Sequence, residues 1–291
     1  MSTSKRSNRF LGWTLALVAT VAAALVVSSV SVAEETKAPA GKIVCDGSTT
    51  VGPIAKAFAD YFMKQTGVNV TVGESGSGNG AKSLINGTCD IGNMSRFMKE
   101  TEFKAAVEKG VMPVATVIAM DGVCLIVHPS NPIKALTTDQ VKGIYTGKIK
   151  KWSEIGGPDA DIVIISRDTN SGTYETFAEK VLKEEKIASG VEYVTSNGAI
   201  RARVQNTPAA VGYVGLAFTT DGVKALEING VMPTKRTIAT GKYPVARPLF
   251  MFTNGYPKLG SPLHEFVTLY LTKKGQDIID SVGFVPVTNY E

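Results

Sequence analysis

The chain reads RDTNSGT over residues 167–173, directly after the apolar run 162–165 and before the helix-forming sequence 174–178. This order predicts a strand, a polar loop and the start of a helix. The first N–H groups of a helix have no partner inside it, and the helix dipole places partial positive charge there. The loop adds hydroxyl groups and a planar guanidinium to these donors. The stretch is therefore either an oxyanion site or an ordinary capped helix beside an arginine.

Two other loops have the same composition and favour the first of these interpretations. Residues 47–53 (GSTTVGP) follow a short apolar strand, and residues 73–80 (GESGSGNG) follow an alternating one; each precedes a helix. Ser95 and Arg96 stand at the end of a further predicted strand. Strands that alternate with helices predict parallel βαβ units, in which ligands bind beyond the carboxyl ends of the strands. We therefore predict an α/β fold whose polar loops surround one tetrahedral oxyanion.

The N-terminus predicts an export signal. Lys5, Arg6 and Arg9 precede an apolar stretch, which is followed by small residues up to Ala33. This order is typical of a secretory signal peptide, here residues 1–33, cleaved after Ala33. An uncleaved membrane anchor is the alternative, because the apolar run approaches the roughly 18 residues that can span a bilayer. We expect the mature chain to work in the periplasm, or otherwise outside the cytoplasm.

Composition narrows the class of protein. With 291 residues, 44% of them hydrophobic and 20% charged, the chain fits one large or two medium globular domains. The formal net charge of +5 includes three basic residues of the predicted signal peptide, and acidic and basic residues are interspersed in the rest of the chain. A basic stripe with interleaved aromatic residues is missing, so a nucleic-acid partner is not predicted.

The three cysteines are Cys45, Cys89 and Cys124, and their spacing is not that of metal ligands. Each lies in or beside an apolar run that is typical of a strand. We therefore expect buried free thiols and no metal or cofactor. A disulfide between Cys45 and Cys89 stays an alternative, because an exported protein can form one.

Catalysis finds little support in the sequence. Residues 76–83 (GSGNGAKS) resemble a phosphate-binding P-loop but have Ala81 where that motif requires glycine. A hydrolase needs a base beside its nucleophile, and the histidines are His128, which precedes a proline, and His264, in a predicted surface helix. Ser77 lacks the full context of a nucleophile elbow. We predict that the chain is not an enzyme, with a secreted phosphoester hydrolase as the rival.

The order of these motifs resembles the phosphate-binding proteins of bacterial phosphate ABC importers, over essentially the whole mature chain. Singly the motifs are weak, and their order and spacing make the match specific. They are GSTTV (47–51), SGSG (75–78), DIG (90–92) with SR (95–96), Arg167 with SGT (171–173), GY (212–213), YP (243–244) with RPL (247–249), and GQ (275–276) with GFVP (283–286).

This resemblance implies the two-lobed α/β fold of type II periplasmic binding proteins, with the ligand in a cleft between the lobes. One lobe is expected to comprise residues 34–120 with 247–291, and the other residues 121–246. The implied function is to capture inorganic phosphate, as a monomer, and to deliver it to the membrane permease of the importer. Another tetrahedral oxyanion, such as sulfate or molybdate, is the alternative ligand.

The resemblance also implies a set of ligand-binding residues: Thr49, Thr50, Ser77, Ser95, Arg96, Arg167, Ser171, Gly172 and Thr173. The best-known branch of the family has aspartates where this chain has Arg96 and Thr169. The group that accepts the proton of monohydrogen phosphate is therefore left open. Asp168, beside Arg167, and Asp46, before the first loop, are the candidates.

Overall fold

Strands and helices alternate along residues 41–287, the part of the chain that this computed structural model describes. The predicted signal peptide, its cleavage after Ala33 and the alternative anchor lie outside these residues. The strands are β1 (Ile43–Gly47), β2 (Val70–Val72), β3 (Ile91–Met94), β4 (Pro113–Val127), β5 (Ala135–Leu136), β6 (Val163–Arg167), β7 (Glu192–Val194), β8 (Ala210–Gly215), β9 (Lys224–Ala225), β10 (Glu227–Ile228) and β11 (Ala246–Asn254).

The α-helices within the same residues are α1 (Gly52–Thr66), α2 (Ser77–Ile85), α3 (Glu100–Glu108), α4 (Thr138–Tyr145), α5 (Gly172–Phe177), α6 (Asn197–Gln205), α7 (Lys235–Ala239), α8 (Pro262–Thr268) and α9 (Lys273–Ser281). A π-helix, Ala178–Leu182, continues α5. Short 3-10 helices cover Trp152–Ile155, Leu216–Phe218 and Leu269–Leu271.

The main sheet has the strand order β2-β1-β3-β11-β4-β8-β6-β7, and β9 adds to β4. At one end β1 runs parallel to β2 and β3, and at the other β6 runs parallel to β7 and β8. The long strands β4 and β11 pair antiparallel to each other between these two groups. The predicted α/β fold with parallel βαβ units is confirmed. The carboxyl ends of β1, β2 and β3 lie at one edge, where the polar loops begin.

Two large hydrophobic cores both include residues of β4. Ile118 and Ala119 of β4 pack in the core that contains α1, α8 and α9, whereas Val123 packs in the other core. The chain returns in the same way, because Val245 belongs to the second core and Leu249 of β11 to the first. The main chain thus passes from one core to the other near residue 121 and back near residue 247.

Local sequence explains the helix boundaries that matter for the site. Pro53 stands in the first turn of α1, where its missing N–H is not needed. Gly67 ends α1 in the left-handed conformation, with φ 73°, and its N–H donates to Met63 O. On the buried face, the rings of Phe58 and Phe62 contact Phe266 of α8 edge-on. Helix α1 therefore holds the first polar loop against a rigid core.

The cysteines are buried and free, as predicted: Cys45, Cys89 and Cys124 form no disulfide. Burial, assisted by neighbouring carboxylates, raises the pKa of the Cys89 thiol to about 12. Between residues 41 and 287 no cluster of histidine, cysteine and carboxylate side chains is arranged to hold a metal ion. None of the helices described there is long and apolar enough to cross a membrane.

Candidate functional site

The loops that follow β1, β2, β3 and β6 meet around a small polar cavity. The lining contains eight of the nine residues predicted from the sequence; the exception is Arg96. The lining residues are Ser48, Thr49, Thr50, Gly76, Ser77, Ser95, Arg167, Ser171, Gly172 and Thr173.

In the first loop, the hydroxyl of Ser48 accepts hydrogen bonds from backbone N–H groups of the same loop. Ser48 Oγ accepts hydrogen bonds from Thr50 N at 3.1 Å and from Val51 N at 3.3 Å. Both lone pairs of this oxygen are then used, so its proton is left to donate elsewhere. Because Ser48 lines the cavity, it belongs to the site, although the sequence interpretation did not select it.

The second, third and fourth loops are bonded to one another. Ser77, the first residue of α2, accepts a hydrogen bond from Ser95 N at 3.1 Å, and Gly78 N donates to Asn170 O at 2.9 Å. Ser171 caps α5, and its Oγ accepts from Tyr174 N at 3.2 Å. These bonds hold two helix N-termini against the same small cavity, where their partial positive charges add.

Arg167 is the one arginine in the lining, and it is 1% exposed. Its Nε donates to Val194 O at 3.3 Å and its Nη2 to Thr195 O at 2.8 Å. Its Nη1 is buried and has no protein partner within the described residues. Burial lowers the pKa of this guanidinium to about 10, and the nearby carboxylate of Asp168 opposes the shift. The side chain therefore stays cationic at neutral pH.

Arg96 does not line the cavity, unlike the other eight residues predicted to bind the ligand. Its guanidinium donates to both carboxylate oxygens of Glu102, at 2.8 and 2.7 Å, and its Nε lies 2.6 Å from Glu175 Oε2. Burial acts to lower the pKa of Arg96, but the two carboxylates outweigh burial and raise it. Its charge is thus compensated by acidic side chains of the protein.

Neither predicted proton acceptor lines the cavity. Asp46 accepts hydrogen bonds from the hydroxyls of Ser75 and Ser83, at 2.8 and 2.7 Å. Asp168 Oδ1 accepts a hydrogen bond from Asn170 N at 2.8 Å, which is the pattern of an Asx-turn. The lining given by the described residues contains no carboxylate.

A second layer of buried polar side chains lies behind the cavity, and the sequence interpretation assigned it no role. Arg247 donates to Asp121 Oδ2 through Nε at 3.0 Å and through Nη2 at 2.8 Å, and both residues are almost fully buried. Burial raises the pKa of Asp121, against the attraction of Arg247. Asn197, the first residue of α6, is also fully buried here. Arg247 stands in the RPL motif (247–249), but the sequence interpretation gave neither it nor Asp121 and Asn197 a part in the site.

A family model described as a PBP superfamily domain matches residues 32–272 of the chain. The chain belongs to the PBP superfamily. Among relatives, the phosphate-binding protein PstS of Bacillus subtilis (strain 168) is 34% identical over 258 residues, which cover 86% of this chain and 82% of that protein. Protein SphX of Synechococcus elongatus is 31% identical over 280 residues, which cover 91% of this chain and 83% of that protein.

Solved structures extend the match to the fold of this PBP superfamily member. A Clostridium perfringens protein crystallised with bound phosphate has a TM-score of 0.79 and 34% identity, covering 85% of this chain and 100% of that chain. An ABC-type phosphate transport receptor from Vibrio cholerae has a TM-score of 0.69 and 27% identity, covering 84% and 99%. The two-lobed fold of periplasmic binding proteins, predicted from the sequence, is confirmed.

Proposed function

We propose that this chain is an exported solute-binding protein that captures inorganic phosphate between two lobes and delivers it to the membrane permease of an ABC-type phosphate importer. The observation that carries the proposal is that Arg167 lines the cavity and that its buried Nη1 has no protein partner within the described residues. Leaving a buried charged donor unpaired costs more than the bond itself contributes, so this atom is well placed to donate to an anion in the cavity.

The rest of the lining suits the same ligand. Besides Arg167, the residues proposed to bind phosphate are Ser48, Thr49, Thr50, Ser77, Ser95, Ser171, Gly172 and Thr173. They supply hydroxyl groups and the backbone N–H groups of two helix starts, and bonds from such donors to an ionised oxygen are stronger than neutral ones. The names of the relatives, which are phosphate-binding proteins, support phosphate as the anion.

Capture of a buried ligand also requires a conformational change, which we assign to movement of the two lobes relative to each other. We propose that residues 34–120 with 247–291 form one lobe and residues 121–246 the other, and that the protein acts as a monomer. The chain passes from one hydrophobic core to the other near residue 121 and back near residue 247, which supports these boundaries. The cavity walls come from residues 48–95 and 167–173, so separation of the lobes would open the site.

Hydrolysis of a phosphoester is the rival function, and the lining argues against it. A hydrolase requires a base within hydrogen-bond reach of its nucleophile. Among residues 41–287, those that line the cavity are serine, threonine, glycine and one arginine, with neither histidine nor carboxylate. His128 instead pairs its Nδ1 with Ser130 Oγ at 2.7 Å.

The test is titration of the purified protein with phosphate, sulfate and molybdate, followed by calorimetry and by thermal unfolding, beside a phosphatase assay with p-nitrophenyl phosphate. We expect tight binding and a raised Tm with phosphate, and no turnover. Binding of sulfate or molybdate in preference to phosphate would show that the proposed ligand is wrong. Turnover that is lost in Ser77→Ala would show that the protein is a hydrolase.

A further inference from the structure

The hydroxyl protons of Thr49, Thr50 and Thr173 have directions that the surrounding protein determines. A threonine hydroxyl donates one hydrogen bond and accepts two, so by itself it can present either a proton or a lone pair to a ligand. An amide NH₂ group and a guanidinium, in contrast, can only donate. A hydroxyl oxygen that accepts from such a group must turn its own proton elsewhere.

Asn197 imposes this direction on two of the threonines. Its Nδ2 donates to Thr49 Oγ1 at 3.1 Å and to Thr50 Oγ1 at 2.9 Å, so each amide proton has its own acceptor. Its Oδ1 accepts from Gly215 N at 3.1 Å. Rotating the amide by half a turn would set its NH₂ against this N–H group, which fixes the orientation.

Arg247 imposes the same direction on the third threonine. One Nη2 proton is directed to Asp121 Oδ2 at 2.8 Å, and Nη2 also donates to Thr173 Oγ1 at 3.0 Å. Thr50 Oγ1 lies 3.4 Å from this nitrogen and 3.0 Å from Thr173 Oγ1. Either of these two hydroxyls can donate to the other, and in both cases the pair uses one proton internally and has one proton left for the cavity.

The three hydroxyls therefore have two protons available for the cavity, one from Thr49 and one from the Thr50–Thr173 pair. We propose that Asn197 and Arg247 are specificity-determining positioning residues, which make this wall of the site a hydrogen-bond donor and so favour ligand oxygens that carry no proton. Neither residue lines the cavity. This inference rests on the proposed function, because it deepens phosphate binding into a preference for the dianion over the monoanion.

The test replaces Asn197 by a side chain of the same shape and opposite hydrogen-bond character. In Asn197→Asp a carboxylate oxygen faces Thr49 and Thr50, so their protons turn toward it and their lone pairs face the ligand. We expect phosphate affinity at pH 8 to fall at least a hundredfold, because donors to an anion are replaced by acceptors. As pH falls toward 6 the ligand gains a proton, and the loss relative to wild type should shrink.

A second variant removes the donors without adding charge. In Asn197→Ser the serine side chain is too short to reach Thr49 and Thr50, so their hydroxyls can rotate. We expect a smaller loss of affinity and a shallower dependence on pH than in the wild type. Arg167, Asp121 and Arg247 are the charged groups around the three threonines, and all variants keep them. Because Asn197→Asp adds a carboxylate of its own, the pH profile of Asn197→Ser is the one that reports the hydroxyls of Thr49, Thr50 and Thr173 alone.

Asn131→Asp is the matched control, since Asn131 is buried and its Oδ1 accepts from Ile133 N, but it does not line the cavity. Its affinity and pH profile should be those of the wild type. If wild-type protein binds phosphate and both folded Asn197 variants, checked by Tm, keep its pH profile, the inference is overturned and the proposed function stands. If wild-type protein does not bind phosphate, the proposed function fails and the inference fails with it.

Discussion

Gly172 lies so close to Ser77 that a Cβ atom on Gly172 would come within 2.6 Å of Ser77 Oγ. The same atom would lie 2.7 Å from Ser95 Oγ. Real Cβ atoms essentially never approach so closely, so the start of α5 fits against the start of α2 only because residue 172 has no side chain. The distance between the two walls of the cavity depends on this contact.

We therefore expect Gly172→Ala to separate the two walls and to weaken phosphate binding by at least about a hundredfold, with little change in Tm. Calorimetric titration measures the loss. Gly41→Ala is the control, because a Cβ there meets nothing within 4 Å. Retention of wild-type affinity by Gly172→Ala would show that the walls do not close around the ligand at this spacing.

Arg167→Ala should weaken phosphate binding more than Thr49→Ala does. A hydrogen bond to a charged group contributes about 1.5–3 kcal/mol against about 0.5–1.5 kcal/mol for a neutral one, which separates the two variants by roughly tenfold. Calorimetry gives both affinities. Arg203→Ala is the control, since Arg203 pairs with exposed Glu192. Equal losses for the two site variants would contradict the role of the buried guanidinium.

Glu175 connects segments assigned to different lobes, because its carboxylate contacts Arg96 at 2.6 Å and Lys99 at 3.0 Å. Glu175→Gln removes the charge that holds these contacts, and we expect phosphate to dissociate several-fold faster. Stopped-flow mixing with a phosphate scavenger measures the rate.

The matched control for Glu175→Gln is Glu192→Gln, which breaks an ion pair with Arg203 inside one proposed lobe. Its dissociation rate should stay at the wild-type value. An unchanged rate in Glu175→Gln, or an equal increase in both variants, would show that the Glu175 contacts do not stabilise the closed protein.

The cysteines should not react in the folded protein. Thiolates are the reactive form, and burial raises the pKa of Cys89 to about 12 and that of Cys124 well above its usual value. At pH 8 we expect iodoacetamide to label none of the three thiols, and all three after unfolding in guanidinium without reductant. Mass spectrometry counts the labels. A single label after unfolding would reveal a disulfide that the structure does not contain.

Much of the site follows from short stretches of sequence, because the relevant physics is local. A Ser- and Thr-rich loop between a strand and a helix exposes unpaired N–H groups wherever the chain then goes. Residues 47–50, 76–77 and 171–173 could therefore be identified as anion-binding loops. Parallel strands bring such loops to one edge of a sheet, so their meeting could also be expected.

The sequence could not distinguish Arg167 from Arg96, since both follow a strand and precede a polar or charged segment. Only tertiary structure decided between them. It brings the carboxylate of Glu175 from a distant segment onto Arg96, whereas it surrounds Arg167 with backbone carbonyls that leave Nη1 unpaired. A charge that the protein has already compensated is a poor anion ligand, and the contact with Glu175 cannot be read from the local sequence.

By itself, then, the sequence determined which chemical groups are present and which loops carry them. The tertiary structure decided which of those groups face the cavity and which donors surround their hydroxyls. Asn197 contacts Thr50 across 147 positions of the chain, and Arg247 contacts it across 197. Hydrogen-bond direction depends on such distant neighbours because a hydroxyl turns to whatever acceptor the folded protein leaves available.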